Sequence, residues 1–135
     1  MKGFALNLSG STTISLTGIP SNGTVTPIAI SNTPSSNPTS DGFNLIGNPY
    51  PSPISWNALR GLAANTGQFS NIIKYWSNSG QYSGQYADYN GIVGTNGGGD
   101  IIPLGQAVMI RKTTAGIGSF NLTNSARVAS SSASA

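Results

Sequence analysis

The sequence predicts an all-β fold, a two-sheet antiparallel β-sandwich of jelly-roll-like character with one short helix. Three observations carry this expectation. Short apolar or alternating runs recur along the chain, as in Phe4-Ala5-Leu6-Asn7-Leu8 and Phe43-Asn44-Leu45-Ile46, with the period of strands rather than helices. Clusters of Gly, Pro, Asn and Ser separate the runs and read as turns. No internal repeat marks a solenoid, so the strands must bury their apolar sides against one another in two layers.

The elements follow in order. Phe4, Leu6 and Leu8 share one face of a first strand, and Ile14 and Leu16 share one face of a second over residues 12–17, the two forming a hairpin around Ser9-Gly10. Residues 24–30 form a third strand. Pro27 lies inside it and forfeits a ladder hydrogen bond, which places that strand at an edge or a bulge. Residues 31–40 are polar and proline-punctuated, a mobile surface loop. Phe43 to Ile46 is a strand that stops at Gly47-Asn48, both residues tolerating positive φ. Residues 69–76 and 81–86 form a hairpin about Ser77-Asn78-Ser79-Gly80. Residues 88–100 read as a loop whose tip, Gly97-Gly98-Gly99, is a flexible spacer. Strands over 105–112 and 117–122 follow, and 126–128 closes the sheet. Residues 1–128 form a single domain, and 129–135, without an anchoring side chain, a disordered tail or linker.

The stretch that organises the chain is Asn44-Leu45-Ile46-Gly47-Asn48-Pro49-Tyr50-Pro51-Ser52-Pro53-Ile54-Ser55-Trp56. Its three prolines fix φ at alternate positions and hold Tyr50 and Ser52 extended. No helix can begin before Pro53. Ser55 then caps a short helix carrying Trp56, Leu59 and Leu62. The corner presents Tyr50 on one side and drops Trp56 towards the interior. This stretch resembles the "NLxGNPYPSxIDW" signature of modules in large secreted and surface proteins of Bacteroidetes-type bacteria, often found near type IX secretion sorting domains. Ile73-Lys74-Tyr75-Trp76 with Gln81-Tyr82 resembles that family's "IYxW…GxY" hairpin. The run from Ile102 to Ile110 resembles its "IPPGQGFFV" strand, and Phe120 to Val128 its "xFxNxxR" end. Ser55 stands where the family usually has Asp, which weakens a metal or acid role at the corner. Ala107-Val108 stand where it usually has aromatics, which implies thinner packing. The resemblance implies a secreted or cell-surface location within a larger protein, and supplies no catalytic site.

Composition narrows the function. The chain has 135 residues, a net charge of +3 and only 7% charged residues, against roughly 25% in ordinary soluble domains. The polarity comes from Ser, Thr, Asn and Gly, as in many extracellular β proteins. No apolar run approaches the roughly 20 residues of a membrane helix, so no membrane span is expected. Of the six basic residues only Arg111 and Lys112 are adjacent, which argues against nucleic acid. The chain has no cysteine and no histidine, which removes disulfides, thiol catalysis and Ser-His-Asp chemistry. Met1-Lys2-Gly3 is not a signal peptide.

The aromatic residues are the functional lead. Tyr82 and Tyr86 share a strand face with Gly84 between them, and Tyr89 and Tyr50 complete the expected ligand-binding set. Rings flanked by Asn, Gln and Ser suit a sugar, whose apolar face stacks while amides take the hydroxyls. The competing reading is that rings fill the core or pair across strands. Tyr75 and Trp76 point to opposite faces, one buried and one exposed, and Trp76 and Trp56 are assigned to structure with Asn48, Pro49 and Gln106. Asn48 and Gln106 are expected to latch backbone groups at the corner. The acidic residues are Asp41, Asp88 and Asp100. A glycosidase needs two facing carboxylates, and calcium needs several oxygens; neither motif is present, so no catalytic residue, metal or cofactor is assigned. The expected function is a non-catalytic accessory module in adhesion or glycan binding, with a polysaccharide or surface glycan and neighbouring domains of the same polypeptide as partners. The alternative is a structural spacer.

Overall fold

The computed structural model describes residues 10–13, 15, 17–80 and 83–129. The protein is mostly β, antiparallel and sandwich-like, with one short helix and no closed barrel. The strands are β1 (Ile28–Asn32), β2 (Phe43–Gly47), β3 (Ile54–Ser55), β4 (Phe69–Asn78), β5 (Gly84–Tyr89), β6 (Gly94–Thr95), β7 (Ile101–Ile102), β8 (Ala107–Lys112) and β9 (Gly116–Phe120), with α1 (Trp56–Arg60) between β3 and β4. One sheet has five strands in the order β2-β8-β4-β5-β6; β1-β9 and β3-β7 are two-stranded ribbons.

The register gives the large sheet two unlike faces, since alternate residues point to opposite sides. Ile46 stands opposite Val108, Ile110 opposite Ile73, and Ile73 opposite Tyr89. These residues line the inner face. They form one core with Ile28, Ile30 and Phe120 from the β1-β9 ribbon, Trp56 and Leu59 from α1, and Leu122 just after β9. Trp56 stacks on Phe120 at 6.1 Å, and Phe69 meets Phe120 edge-on at 5.1 Å. The layers are stitched by Asn44, whose amide accepts from the Ser31 N–H and donates to the Ser31 carbonyl at 3.1 and 3.0 Å.

The corner is built by side-chain chemistry rather than by positive φ at Gly47 or Asn48, neither of which adopts it. Asn48 Oδ1 accepts from the Tyr50 N–H, and Nδ2 donates to the carbonyls of Ser52, Ile102 and Pro103 at 2.9–3.2 Å. This amide closes a turn over its own residues and ties the corner to β7. Pro49 follows it within that turn. The Gln106 carbonyl accepts from the Asn48 N–H, while the Gln106 side chain donates to the Ala107 carbonyl. Ser55 caps α1, its Oγ accepting from the Ala58 N–H at 3.1 Å, and the helix stops at Arg60, before Leu62.

Several expectations change. The first predicted strand lies outside the described residues, and the described residues among 10–17 carry no strand. The third strand begins at Ile28, after Pro27 rather than through it, because proline brings no N–H to the ladder. The loop after β1 is tethered. Asp41 accepts from the Ser35 N–H and Oγ, both at 2.7 Å, and the Arg111 guanidinium donates to the Asp41 and Pro38 carbonyls. The Ser35 hydroxyl, then its N–H, hold the Asp41 carboxyl below the usual carboxylate range. Residues 88–100 are not one loop. Asp88 and Tyr89 end β5, and β6 follows. Gly98 packs against β5 so closely that a Cβ would lie 2.2 Å from the Asp88 carbonyl, so this glycine serves close approach rather than flexibility. Instead of a closing strand, Asn124–Ala126 form a single 3-10 turn, and Arg127 makes an isolated bridge to Ile54.

Candidate functional site

The outer face of the five-stranded sheet carries the exposed rings. In the β4–β5 hairpin Tyr75 stands opposite Ala87, and Trp76 opposite Tyr86. Tyr75 and Ala87 therefore face the core, and Trp76 and Tyr86 face solvent, 52% and 43% exposed. Their rings meet edge-on, centroids 5.1 Å apart and planes at 73°. Gly84 makes this possible. A Cβ there would lie 2.7 Å from Trp76 Cζ2 and 2.8 Å from Cε2, so the indole lies over the bare backbone of the neighbouring strand. Trp76 is thus held on one side by Gly84 and on its edge by Tyr86, with half its surface open.

The rest of the outer face extends this platform. The Tyr86 hydroxyl reaches Met109 Sδ at 3.5 Å. Lys74 Nζ pairs with Asp88 Oδ2 at 2.7 Å and lies 5.8 Å from the Tyr86 centroid. Met109 stands opposite Leu45 on β2, and beyond them the Arg111 guanidinium lies 5.6 Å from the Phe43 ring.

On the inner side of the hairpin, where Tyr75, Ser77 and Ala87 stand, opens a cleft of about 350 Å³ whose other walls include Asn96, Asp100, Pro103 and Gln106. Asn96 has φ of 52°, a left-handed conformation that asparagine tolerates better than most residues. Its Nδ2 donates to the Tyr86 carbonyl at 3.0 Å. Gln106 Nε2 donates to the Ala107 carbonyl at 2.8 Å. The Tyr75 hydroxyl donates to the Gly99 carbonyl at 2.7 Å. Burial first, then the Asp100 charge and Tyr89, push the Tyr75 hydroxyl well above the usual tyrosine range. Asp100 is committed to structure: Oδ2 accepts from Ser55 Oγ and Oδ1 from the Asn57 N–H, both at 2.7 Å. That carboxylate beside the first turn of α1 has the sign that the helix dipole favours.

The structure disperses the tyrosines expected to bind together. Tyr86 lies on the platform. Tyr50 is 1% exposed, with its hydroxyl donating to the Gly23 carbonyl at 2.8 Å. It turns inward because its N–H is held by Asn48, which folds the corner over the core. Tyr89 is also buried, since it shares the inner face with Ile73, and its hydroxyl accepts from Asn57 Nδ2 at 2.9 Å. Tyr82 lies outside the described residues. Of the residues assigned to structure, Trp56 is fully buried, its Nε1 donating to the Asn71 carbonyl at 2.8 Å. Trp76 is instead the most exposed aromatic ring described. Met109, Leu45, Phe43 and Asn96 were not among the sequence candidates. Alternation along 107–112 puts Met109 and Arg111 on one face, but only the β4–β8 register, with Lys74 opposite Met109, reveals that face as the one carrying Trp76. Among the described residues, no group of three or more Asp, Glu, His or Cys side chains gathers as a metal site.

A family model described as a domain of unknown function, DUF8693, matches residues 2–135. The chain belongs to that family. No curated protein and no solved structure matches it. In this DUF8693 domain the outer face of the large sheet carries a ring platform, Trp76 with Tyr86, and the inner side of the same hairpin carries the amide-lined cleft.

Proposed function

We propose that this DUF8693 domain is a non-catalytic accessory module of a larger exported or cell-surface bacterial protein, and that it binds a polysaccharide or surface glycan through Trp76 and Tyr86. The observation that carries the reading is the indole laid over Gly84, which holds a large ring nearly fixed while leaving it half open to solvent. A pyranose presents an apolar C–H face that stacks on such a ring, and a ring already fixed loses little freedom on binding. The carboxylates are occupied elsewhere: Asp100 holds Ser55 and Asn57, Asp88 holds Lys74, and Asp41 holds Ser35. This favours binding over glycoside cleavage, which needs two free carboxyl groups across the bond. The resemblance of the Asn-Pro-Tyr-Pro stretch to surface-protein modules of Bacteroidetes-type bacteria supports the exported location.

A glycan array probed with the wild-type domain and with Trp76→Ala tests the reading. The expected result is binding to a set of polysaccharides that Trp76→Ala abolishes. Binding that survives the substitution would assign the ligand to another surface.

A second reading, a spacer that packs against neighbouring domains, is favoured by one observation: Ile92, Val93 and Leu104 are largely exposed aliphatic side chains in loops. It predicts that these three, and not Trp76, lose solvent access when the flanking domains are present, which side-chain footprinting of the longer protein would read.

A further inference from the structure

The sandwich has an open side between its two layers, and the chain carries a segment whose sequence suits that opening. We infer that Phe4–Leu8 dock along the free edge of β1 as an added strand, with Phe4, Leu6 and Leu8 seated in the groove between β1 and β2. The inference concerns a different surface from the ring platform, and neither reading depends on the other.

The site comes first. β1 and β2 are both edge strands, paired on one side only, with β9 and β8 respectively. Between them runs a groove of about 330 Å³ whose walls include Ile28, Ala29, Ile30, Leu45 and Ile46. Ser31 shows where the free edge of β1 points. Its N–H and carbonyl are taken by the Asn44 amide, so they turn away from β9 and towards β2. Backbone groups along a strand alternate in direction, so Ala29, two residues earlier, turns its N–H and carbonyl the same way. Neither group has a partner among the described residues. The Asn44 amide therefore substitutes for a pairing strand at Ser31 and leaves Ala29 open. Unpaired ladder groups beside an apolar groove are what an added strand needs: main-chain bonds hold it, and alternate side chains fill the groove.

The occupant follows from the chain. Phe4-Ala5-Leu6-Asn7-Leu8 alternates with the period of a strand. The segment lies within the family match, which covers residues 2–135. Laid beside β1, Phe4, Leu6 and Leu8 share the inward side with the buried Ile28 and Ile30, while Ala5 and Asn7 share the outward side with the exposed Ala29. The opposite register would expose all three large apolar side chains. Every described residue from Gly10 to Pro20 is exposed, so this stretch acts as a tether. Between Leu8 and Gly23, whose carbonyl is held by the Tyr50 hydroxyl, the tether can span roughly 50 Å, more than the width of a domain of this size. A strand tethered to its own groove also has an effective concentration that a separate chain does not match.

The test uses the full chain. It has no cysteine, so Gly3→Cys gives a single attachment point for a nitroxide. The label is expected to broaden the amide resonances of Ala29 and Ile30 and to spare those of Gly94 and Thr95, at the far edge of the large sheet. A mixture of spin-labelled chains with isotope-labelled, nitroxide-free chains is expected to show no broadening. Broadening in the mixture would give the groove to a second copy and overturn docking within the chain. No broadening at β1 in either sample would overturn docking altogether. Hydrogen exchange provides a second measurement without a label. Leu6→Asp is expected to speed exchange of the Ala29 amide about tenfold or more, as burial of a leucine is lost. Asn7→Asp, on the outward side, is expected to leave it unchanged. An Ala29 amide that exchanges equally fast in wild type and Leu6→Asp would contradict the proposal.

Discussion

The two faces of the β4–β5 hairpin are made by the same strands, yet one is a core and the other a platform. On the inner face Tyr89 is buried and Tyr75 half-buried against the core, and their hydroxyls have internal partners, Asn57 and Gly99 respectively. On the outer face Trp76 and Tyr86 lean on each other and on Gly84, and their partners are a sulfur atom and solvent. The difference is not one of residue type, since aromatic side chains stand on both. It is set by which alternate positions meet the ribbons and α1. Tyr75 and Trp76 are neighbours in the chain, yet one packs against the core and the other stands half open to solvent.

The sharpest way to break this comparison is to truncate one tryptophan from each environment. Trp56→Ala removes a fully buried ring that stacks on Phe120, and is expected to cost about 3–5 kcal/mol. Trp76→Ala is expected to cost about 1 kcal/mol or less, since only its contacts with Gly84 and Tyr86 are lost. Urea unfolding of the two variants measures both; equal losses would mean that the outer ring is also structural.

A smaller effect is expected at the corner. Asn48→Ala strips three carbonyls and one N–H of their partner within a buried turn, at about 2–3 kcal/mol. Its melting temperature should fall, and an unchanged value would show that water replaces the amide.

The smallest effect concerns pH and separates the tyrosines. Tyr75 has its folded pKa raised above its unfolded value of about 10. The stability it contributes is therefore complete below pH 10 and is lost as pH rises above it towards the folded value. Tyr75→Phe is expected to lose about 1 kcal/mol at neutral pH, from the missing hydroxyl, and to flatten the decline above pH 10. Denaturant midpoints between pH 8 and 11.5 follow it, and an alkaline slope equal to wild type contradicts the assignment.

Where local pattern and tertiary environment agreed, the sequence could be read directly. Phe43 to Ile46, the cap at Ser55 and the strands ending at Lys112 and Phe120 follow from alternation, hydroxyl chemistry and the nearby turns. Local pattern was insufficient where pairing is brief. The two-residue strands Gly94–Thr95 and Ile101–Ile102 are too short to leave a period; the first takes its form from the end of β5 just before it, the second from β3, distant in sequence. The site shows the same division. Alternation states that Tyr75 and Trp76 diverge, but not which one meets the core. That depends on the ribbons and α1, which cover the side of the sheet carrying Tyr75. Tyr50 was misplaced for a related reason: the prolines fix the stiffness of the corner, while its direction is set by Asn48 reaching Ile102 and Pro103.

The central claim, that one tryptophan is sealed in the core while the other waits in the open for a sugar, is tested most directly by acrylamide quenching of the intrinsic fluorescence. The account predicts two emitting populations, one strongly quenched and lost in Trp76→Phe, the other shielded, with a bound polysaccharide protecting the first. A single shielded population, or an exposed one that persists in Trp76→Phe, would contradict it.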